Sequence, residues 1–147
     1  MATTNPTSET TLQLKRTFAA KREKVFQAWT DPAALKQWFV PSEEVSTQTA
    51  EVDLRVGGKY RLVMKSSTGE LYIAAGTYRE VRFPEKLVFT WTFEGSALGE
   101  TLVSLEFHDR GGSTELVLLH GFFPNKNERD KHTMGWSSCL DHLTNFL

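Results

Sequence analysis

Several features that would assign a function directly are missing from this sequence. Its one cysteine, Cys139, excludes a disulfide within the chain and fits a reducing compartment. No apolar run approaches the roughly 20 residues of a membrane-spanning helix. The 17 basic and 18 acidic residues are interspersed and give a formal net charge of −1, so no basic surface for nucleic acid is expected. We therefore expect a cytoplasmic globular protein without a membrane or nucleic-acid partner.

The two ends of the chain differ in composition. Residues 1–11 are rich in Thr, Ser, Asn and Pro and lack the apolar segment of a signal peptide, so they are predicted to form a disordered tail. Residues 12–147 contain no repeat or linker and are long enough to bury a core. We expect them to form a single domain.

Aromatic residues make up 12% of the chain, with 10 Phe, 4 Trp and 3 Tyr. Aromatic side chains have large apolar surfaces, and this number of them can either fill a core or line a ligand cavity. Composition alone leaves both alternatives open.

The last part of the chain, from about Asn125 to Leu147, has the period of an amphipathic helix. Asn125 or Asn127 can cap its first turn, where Glu128 also places negative charge near the positive end of the helix dipole. Its apolar face is predicted to contain Trp136, Cys139, Leu140, Leu143, Phe146 and Leu147.

Most of the preceding chain alternates between apolar and polar residues, which is typical of strands with one buried face. Strands are predicted at 11–18, 47–55, 59–65, 71–81, 87–93, 101–108 and 114–122. Short helices are predicted at 19–29 and 32–38, the second opened by Asp31 and Pro32. The prediction is an α+β fold in which a curved antiparallel sheet (one strand, two short helices, six strands) wraps around the C-terminal helix.

Four segments of the sequence resemble a known family. They are VFQAWTDP at 25–32 followed by WF at 38–39, DLRVGGKYR at 53–61, PEKLVFTW at 84–91, and HGF at 120–122 followed by GW at 135–136. In this order they are similar to the Aha1-like branch of the START/Bet v 1 helix-grip (SRPBCC) superfamily. The resemblance implies a sheet that grips the C-terminal helix, with an internal cavity between them.

The predicted cavity has a set of candidate lining residues on the inward faces of these elements. Ala74 and Gly76 lie on a strand face with Tyr78, and small residues there leave room for a neighbouring side chain, a bend or a ligand. The candidates are Trp38, Tyr60, Met64, Tyr78, Phe89, Trp91, Phe107, His120, Phe122 and Trp136.

Titratable side chains give a weaker functional signal. His120 lies in phase with an inward strand face and can be a ligand donor, a general base or an ordinary core histidine, of which we favour the last. The histidine and cysteine spacing does not match a metal site, and Cys139 fits a small core residue better than a nucleophile. No catalytic residue, metal or cofactor is expected.

Three functions follow as hypotheses. The first is binding of a small apolar molecule in the cavity, with enzymatic activity left open but not favoured. The second, implied by the resemblance, is a stress-related interaction with an Hsp90-type chaperone, whose ATPase the protein would activate. The family is named for a co-chaperone domain that stimulates the Hsp90 ATPase. The third is a cyclase or isomerase with His120 or Glu80 as proton shuttle. An exposed sheet edge leaves both monomer and homodimer open.

Overall fold

The computed structural model describes residues 9–147, so most of the predicted tail at 1–11 lies outside the described residues. Seven strands and three helices follow in the predicted order. They are β1 Leu12–Phe18, α1 Arg22–Thr30, α2 Pro32–Trp38, β2 Val45–Val52, β3 Lys59–Ser66, β4 Leu71–Arg82, β5 Lys86–Phe93, β6 Thr101–Asp109, β7 Thr114–Gly121 and α3 Lys126–Phe146. None of the helices in this range has both the length and the apolar character needed to cross a membrane.

The strands form one antiparallel sheet in the order β1-β7-β6-β5-β4-β3-β2. Strands β2 to β7 are therefore a meander, and β1 joins it beside β7. Since β1 and β2 are the two edges, helices α1 and α2 carry the chain from one edge to the other. The sheet curves into a half-barrel, which confirms the predicted α+β helix-grip fold.

Side-chain alternation along the strands determines which face of the sheet is buried. In β6 every second residue is buried, among them Val103, Leu105 and Phe107. The next hairpin turns at Gly111 and Gly112, whose φ angles of 75° and 101° lie in the left-handed region that glycine adopts without strain. The period-2 pattern therefore places the core on the concave face.

Helix α3 lies against that concave face. Its buried residues are Trp136, Cys139, Leu140 and Leu143. Asn125 caps the helix by accepting a hydrogen bond from the Glu128 amide at 2.9 Å, which decides between the two predicted caps. At the other end, Arg16 of β1 pairs with Asp141 at 2.8 Å. Burial of each large apolar side chain contributes about 1.5–3 kcal/mol, so this face holds the helix in place.

The ends of some elements differ from the prediction. Strand β2 ends at Val52 rather than at residue 55, because the Arg55 amide bonds to the Asp53 carbonyl at 2.9 Å and turns the chain. Leu54, which lies beyond the end of the strand, is consequently 40% exposed. Helix α1 begins at Arg22, three residues later than predicted.

Candidate functional site

A cavity of about 270 Å³ opens between helix α3 and strands β3, β4 and β5. One wall is formed by the sheet, a second by the α3 residues from Glu128 to Cys139, and a third by the segment that follows α2. We refer to it as the outer cavity. It is lined by Phe39, Pro41, Met64, Tyr72, Trp91, Phe93, Glu128, Lys131, His132, Gly135, Trp136 and Cys139.

The charged residues of the outer cavity lie at the start of α3. Lys131 and Glu128 approach to 3.4 Å, with the lysine side chain 64% exposed and the glutamate side chain 15% exposed. The remaining walls are mainly aromatic and aliphatic. The outer cavity therefore has an apolar body and a charged rim.

Behind it lies a second, much smaller space of about 20 Å³, which we refer to as the inner cavity. Phe39, Trp91 and Trp136 line both cavities and so form the partition between them. The other residues that line the inner cavity are Trp29, Leu35, Tyr60, Leu62, Tyr78, Leu87 and Phe89.

Two histidines hold the indole groups of the partition. His132 Nδ1 lies 2.9 Å from the Glu128 carbonyl oxygen, which only accepts, so Nδ1 carries the proton. Its Nε2 is therefore the nitrogen that accepts the Trp91 indole N–H at 3.2 Å. The geometry thus defines one neutral tautomer for His132, in which both ring nitrogens are used.

The hydrogen bonds of His120 define the other neutral tautomer, with the proton on Nε2. Its Nδ1 accepts the Trp136 indole N–H at 3.0 Å, so in the neutral ring the proton lies on Nε2 and is donated to the Thr101 hydroxyl oxygen at 2.7 Å. That hydroxyl in turn donates to the Trp91 carbonyl at 2.9 Å. His120 is completely buried and links β7, β6, β5 and α3.

Burial keeps both imidazoles neutral. It lowers the pKa of His120 well below the usual value, and the neighbouring His132 lowers it further. Burial also lowers the pKa of His132, partly opposed by its hydrogen bond to the Glu128 carbonyl. Protonating either ring would place an N–H opposite an indole N–H, so the two hydrogen bonds require the neutral forms.

The structure separates the ten candidate cavity residues into four groups. Met64, Trp91 and Trp136 line the outer cavity. Tyr60, Tyr78 and Phe89 line the inner cavity. Trp38, Phe107 and His120 are buried in the core and line neither cavity. Phe122 lies on the surface.

The prediction that Phe122 faces inward is wrong. Strand β7 ends at Gly121, and Phe122 has a φ of 69°, which turns its side chain out to 74% exposure. Phe123 takes the inward position, with ring centroids 4.3 Å from His120 and 4.8 Å from His132. The change of backbone conformation breaks the period of two on which the prediction depended.

The space left by Gly76 is occupied by protein. A Cβ at this position would lie 2.8 Å from the Tyr60 ring and would clash with the Thr90 carbonyl. The Tyr60 hydroxyl donates to that same carbonyl at 2.5 Å. Of the alternatives left open by the sequence, close packing of a neighbouring side chain therefore accounts for this glycine.

Several lining residues were missed by the sequence-based list. They include His132 on α3 and Tyr72 on β4, which is paired with Met64 in the β3–β4 register. A helical stripe of Glu128, His132, Gly135, Trp136 and Cys139 forms the α3 wall. The helical spacing of these residues could have predicted this wall, because it places them on the same side of α3 as the buried Trp136.

Of the other chemical candidates, Glu80 lines neither cavity, whereas Cys139 lines the outer cavity. Glu80 pairs with Arg82 at 3.3 Å and with Lys86 at 3.7 Å. Within residues 9–147 no three metal-ligating side chains come together. Burial raises the pKa of the Cys139 thiol, which keeps it protonated.

A half-barrel sheet closed over a long C-terminal helix, with an apolar cavity between them, defines a helix-grip protein. The family model "Activator of Hsp90 ATPase homolog 1-like protein" (AHSA1) matches residues 19–147. The chain belongs to this family. Among curated proteins, no significant match to the sequence was found.

Solved structures agree with this assignment. A protein of Chromobacterium violaceum is 25% identical, with a TM-score of 0.85 over 92% of this chain and 95% of the other. The AHSA1 protein of Silicibacter pomeroyi is 28% identical, with a TM-score of 0.81 and coverage of 92% and 95%. An HSP90 activator from Plasmodium falciparum is 26% identical, with a TM-score of 0.71 and coverage of 91% and 93%.

Proposed function

We propose that this protein binds one small, largely apolar molecule in the outer cavity. The observation that carries the proposal is a space of about 270 Å³ between α3 and the sheet, with mainly apolar walls. Ligand sites in proteins begin at about 300 Å³, so this volume suits a compact molecule of two or three rings rather than a long lipid chain. The aromatic walls supply apolar contact area on both faces of such a ring.

Several polar groups of the outer cavity are already paired with other protein groups, which favours a ligand that binds by apolar contact. The indole N–H groups of Trp91 and Trp136 are already donated to the two histidines. The ammonium of Lys131 and the carboxylate of Glu128 lie together at the rim. A ligand therefore gains affinity in the body of the cavity mainly from buried apolar surface.

The test is titration with N-phenyl-1-naphthylamine, a neutral dye that fluoresces in apolar sites. Met64→Trp replaces a flexible thioether with a bulky indole that occupies the cavity, and Trp91→Ala removes the side chain that forms one wall. Each variant is therefore expected to weaken dye binding about tenfold or more. Lys65→Trp adds the same ring at the next exposed position of β3 and serves as the matched control. If both cavity variants bind the dye as the unchanged protein does, the outer cavity is not the site.

Native mass spectrometry of the protein purified from cells identifies the natural ligand class. We expect an added mass in the native spectrum that disappears on denaturation and is reduced in Met64→Trp. An added mass retained at full occupancy in Met64→Trp would place the ligand elsewhere.

A second candidate function is interaction with an Hsp90-type chaperone. It is favoured by the family description and by the fold shared with an HSP90 activator from Plasmodium falciparum. This function predicts co-purification with Hsp90 and a faster Hsp90 ATPase. Met64→Trp separates the two functions, since Met64 is buried and its replacement changes the inside of the outer cavity rather than an exposed side chain. Failure to bind Hsp90 together with an unchanged ATPase rate would remove the candidate.

A further inference from the structure

One buried polar group of the core has no partner. The indole nitrogen of Trp29 lies in a residue that is only 4% exposed, and no acceptor within residues 9–147 takes its hydrogen. The other three indoles are satisfied, including Trp38, which donates to the Ala28 carbonyl at 2.9 Å. An unpaired buried donor is rare and unfavourable, so Trp29 requires an explanation.

Trp29 lines the inner cavity, and its ring centroid is 5.7 Å from that of Trp136 in the partition. The space of about 20 Å³ exceeds the about 10–15 Å³ that one water needs, but a buried water also needs two to four polar partners. The Tyr60 hydroxyl is already donated to the Thr90 carbonyl. With mainly apolar walls and the unpaired Trp29 N–H, the inner cavity suits an apolar group that carries a hydrogen-bond acceptor.

The partition determines how a ligand can reach this donor. Trp91 and Trp136 are each held by an indole hydrogen bond to a histidine. The third partition residue, Phe39, has its backbone carbonyl held by the Thr47 hydroxyl at 2.8 Å, but its ring has no polar contact. Phe39 is therefore the partition residue whose ring can be displaced without breaking a hydrogen bond of its own.

We propose that the ligand of the outer cavity extends past Phe39 and accepts a hydrogen bond from the Trp29 indole N–H through a ketone, ester or ether oxygen at its inner end. This inference rests on the proposed binding function and adds the chemical class of the ligand. The acceptor goes in first, and the apolar body fills the outer cavity behind it.

The experiment compares 2-acetylnaphthalene with 2-ethylnaphthalene, which have nearly the same shape but differ in the carbonyl oxygen. Protein labelled with ¹⁵N gives one indole signal for each of its four tryptophans, and Trp29→Phe identifies that of Trp29. We expect the ketone to shift the Trp29 indole proton downfield and the hydrocarbon to leave it near its free position. Calorimetry should show the ketone binding roughly three- to tenfold more tightly, the contribution of one neutral hydrogen bond.

Trp29→Phe keeps an aromatic ring and removes the donor, so it should abolish the preference for the ketone while the hydrocarbon still binds. Trp38→Phe is the matched control, because it makes the same substitution at an indole that lines neither cavity and donates to the Ala28 carbonyl at 2.9 Å. This variant should keep the preference. The spectrum of the unchanged protein gives the result even if Trp29→Phe folds poorly.

Three results would overturn the inference. Equal affinity for the two probes with an unmoved Trp29 signal would remove it and leave the binding function intact. A water cross-peak at the Trp29 indole proton in the ketone complex would show that water, not the ligand, is the acceptor. Failure of both probes, together with failure of the naphthylamine dye, would remove the binding function and this inference with it.

Discussion

The Trp136 indole N–H donates to Nδ1 of His120 over 3.0 Å, between helix α3 and strand β7. This bond fixes the rotation of the helix against the sheet, because both groups are buried and each has one suitable partner. His120 also donates to Thr101, which bonds to the Trp91 carbonyl. A single imidazole therefore helps to position both indoles of the partition.

Replacement of His120 by phenylalanine should destabilise the protein by about 1–3 kcal/mol. The variant keeps a ring in the core but leaves the Trp136 N–H buried without an acceptor. Urea unfolding measures the loss. His108→Phe is the matched control, since His108 is on the neighbouring strand with its side chain 41% exposed, and it should cost less than about 0.5 kcal/mol. Equal losses in the two variants would contradict a special role for the His120 network.

Stability should fall as the pH drops below about 6.5. Burial lowers the folded-state pKa of His120 and of His132, so the unfolded chain binds more protons than the folded protein below the unfolded pKa of about 6.5. The slope is at most about 1.4 kcal/mol per pH unit for each histidine. The charged groups beside them, Glu128 and Lys131, belong to the same helix as His132 and act in opposite directions.

Urea unfolding between pH 5 and pH 8.5 tests this dependence. The unfolding free energy should be nearly constant above pH 7.5 and should decrease toward pH 5. The slope should be smaller in His120→Phe. A profile for His120→Phe that matches that of the original protein would show that another group causes the loss.

Most of the fold could be predicted because each element has its own local pattern. Alternation predicted six of the seven strands, and the first was predicted from a short, bounded apolar segment. Asp31 with Pro32 predicted the start of α2, where Asp31 accepts from the Ala33 amide at 3.1 Å. The position of β1 beside β7 was not predicted, since pairing between distant strands leaves no local pattern. The exposure of Phe122 was missed for a related reason: a positive φ at a non-glycine residue changes the side-chain direction without changing the sequence pattern.

The site was less predictable than the fold. Inward-facing aromatic residues such as Phe89 and Trp91 could be identified, but which of them border open space depends on how α3 sits in the sheet. The role of His132 depends on how α3 is rotated about its axis against the sheet. The unpaired N–H of Trp29 can be recognised only when the position of every neighbouring acceptor is known. These are properties of tertiary packing, which a single sequence does not specify residue by residue.

Asn125→Ala should lower stability by about 1 kcal/mol. The Asn125 side chain accepts the Glu128 amide at the start of α3, and loss of a cap of this kind typically has that effect. Asn127→Ala is the control, because Asn127 is exposed two residues later in the first turn and is not the cap. Thermal or urea unfolding of the two variants distinguishes them. Similar effects would mean that the first turn is not held by Asn125.

Replacement of two glycines by alanine should change the free energy of unfolding in opposite directions. At Gly76 an added methyl group would be forced against the Tyr60 ring and the Thr90 carbonyl, and overpacking against backbone should cost about 1–3 kcal/mol. At Gly135, inside α3, the new Cβ would lie 3.6 Å from Pro41, an ordinary contact, while alanine favours the helix by about 0.5–1 kcal/mol. Urea unfolding should therefore show Gly76→Ala below and Gly135→Ala above the original protein. A neutral Gly76→Ala would mean that β4 and β5 move apart at little cost, so that this glycine is not required by close packing.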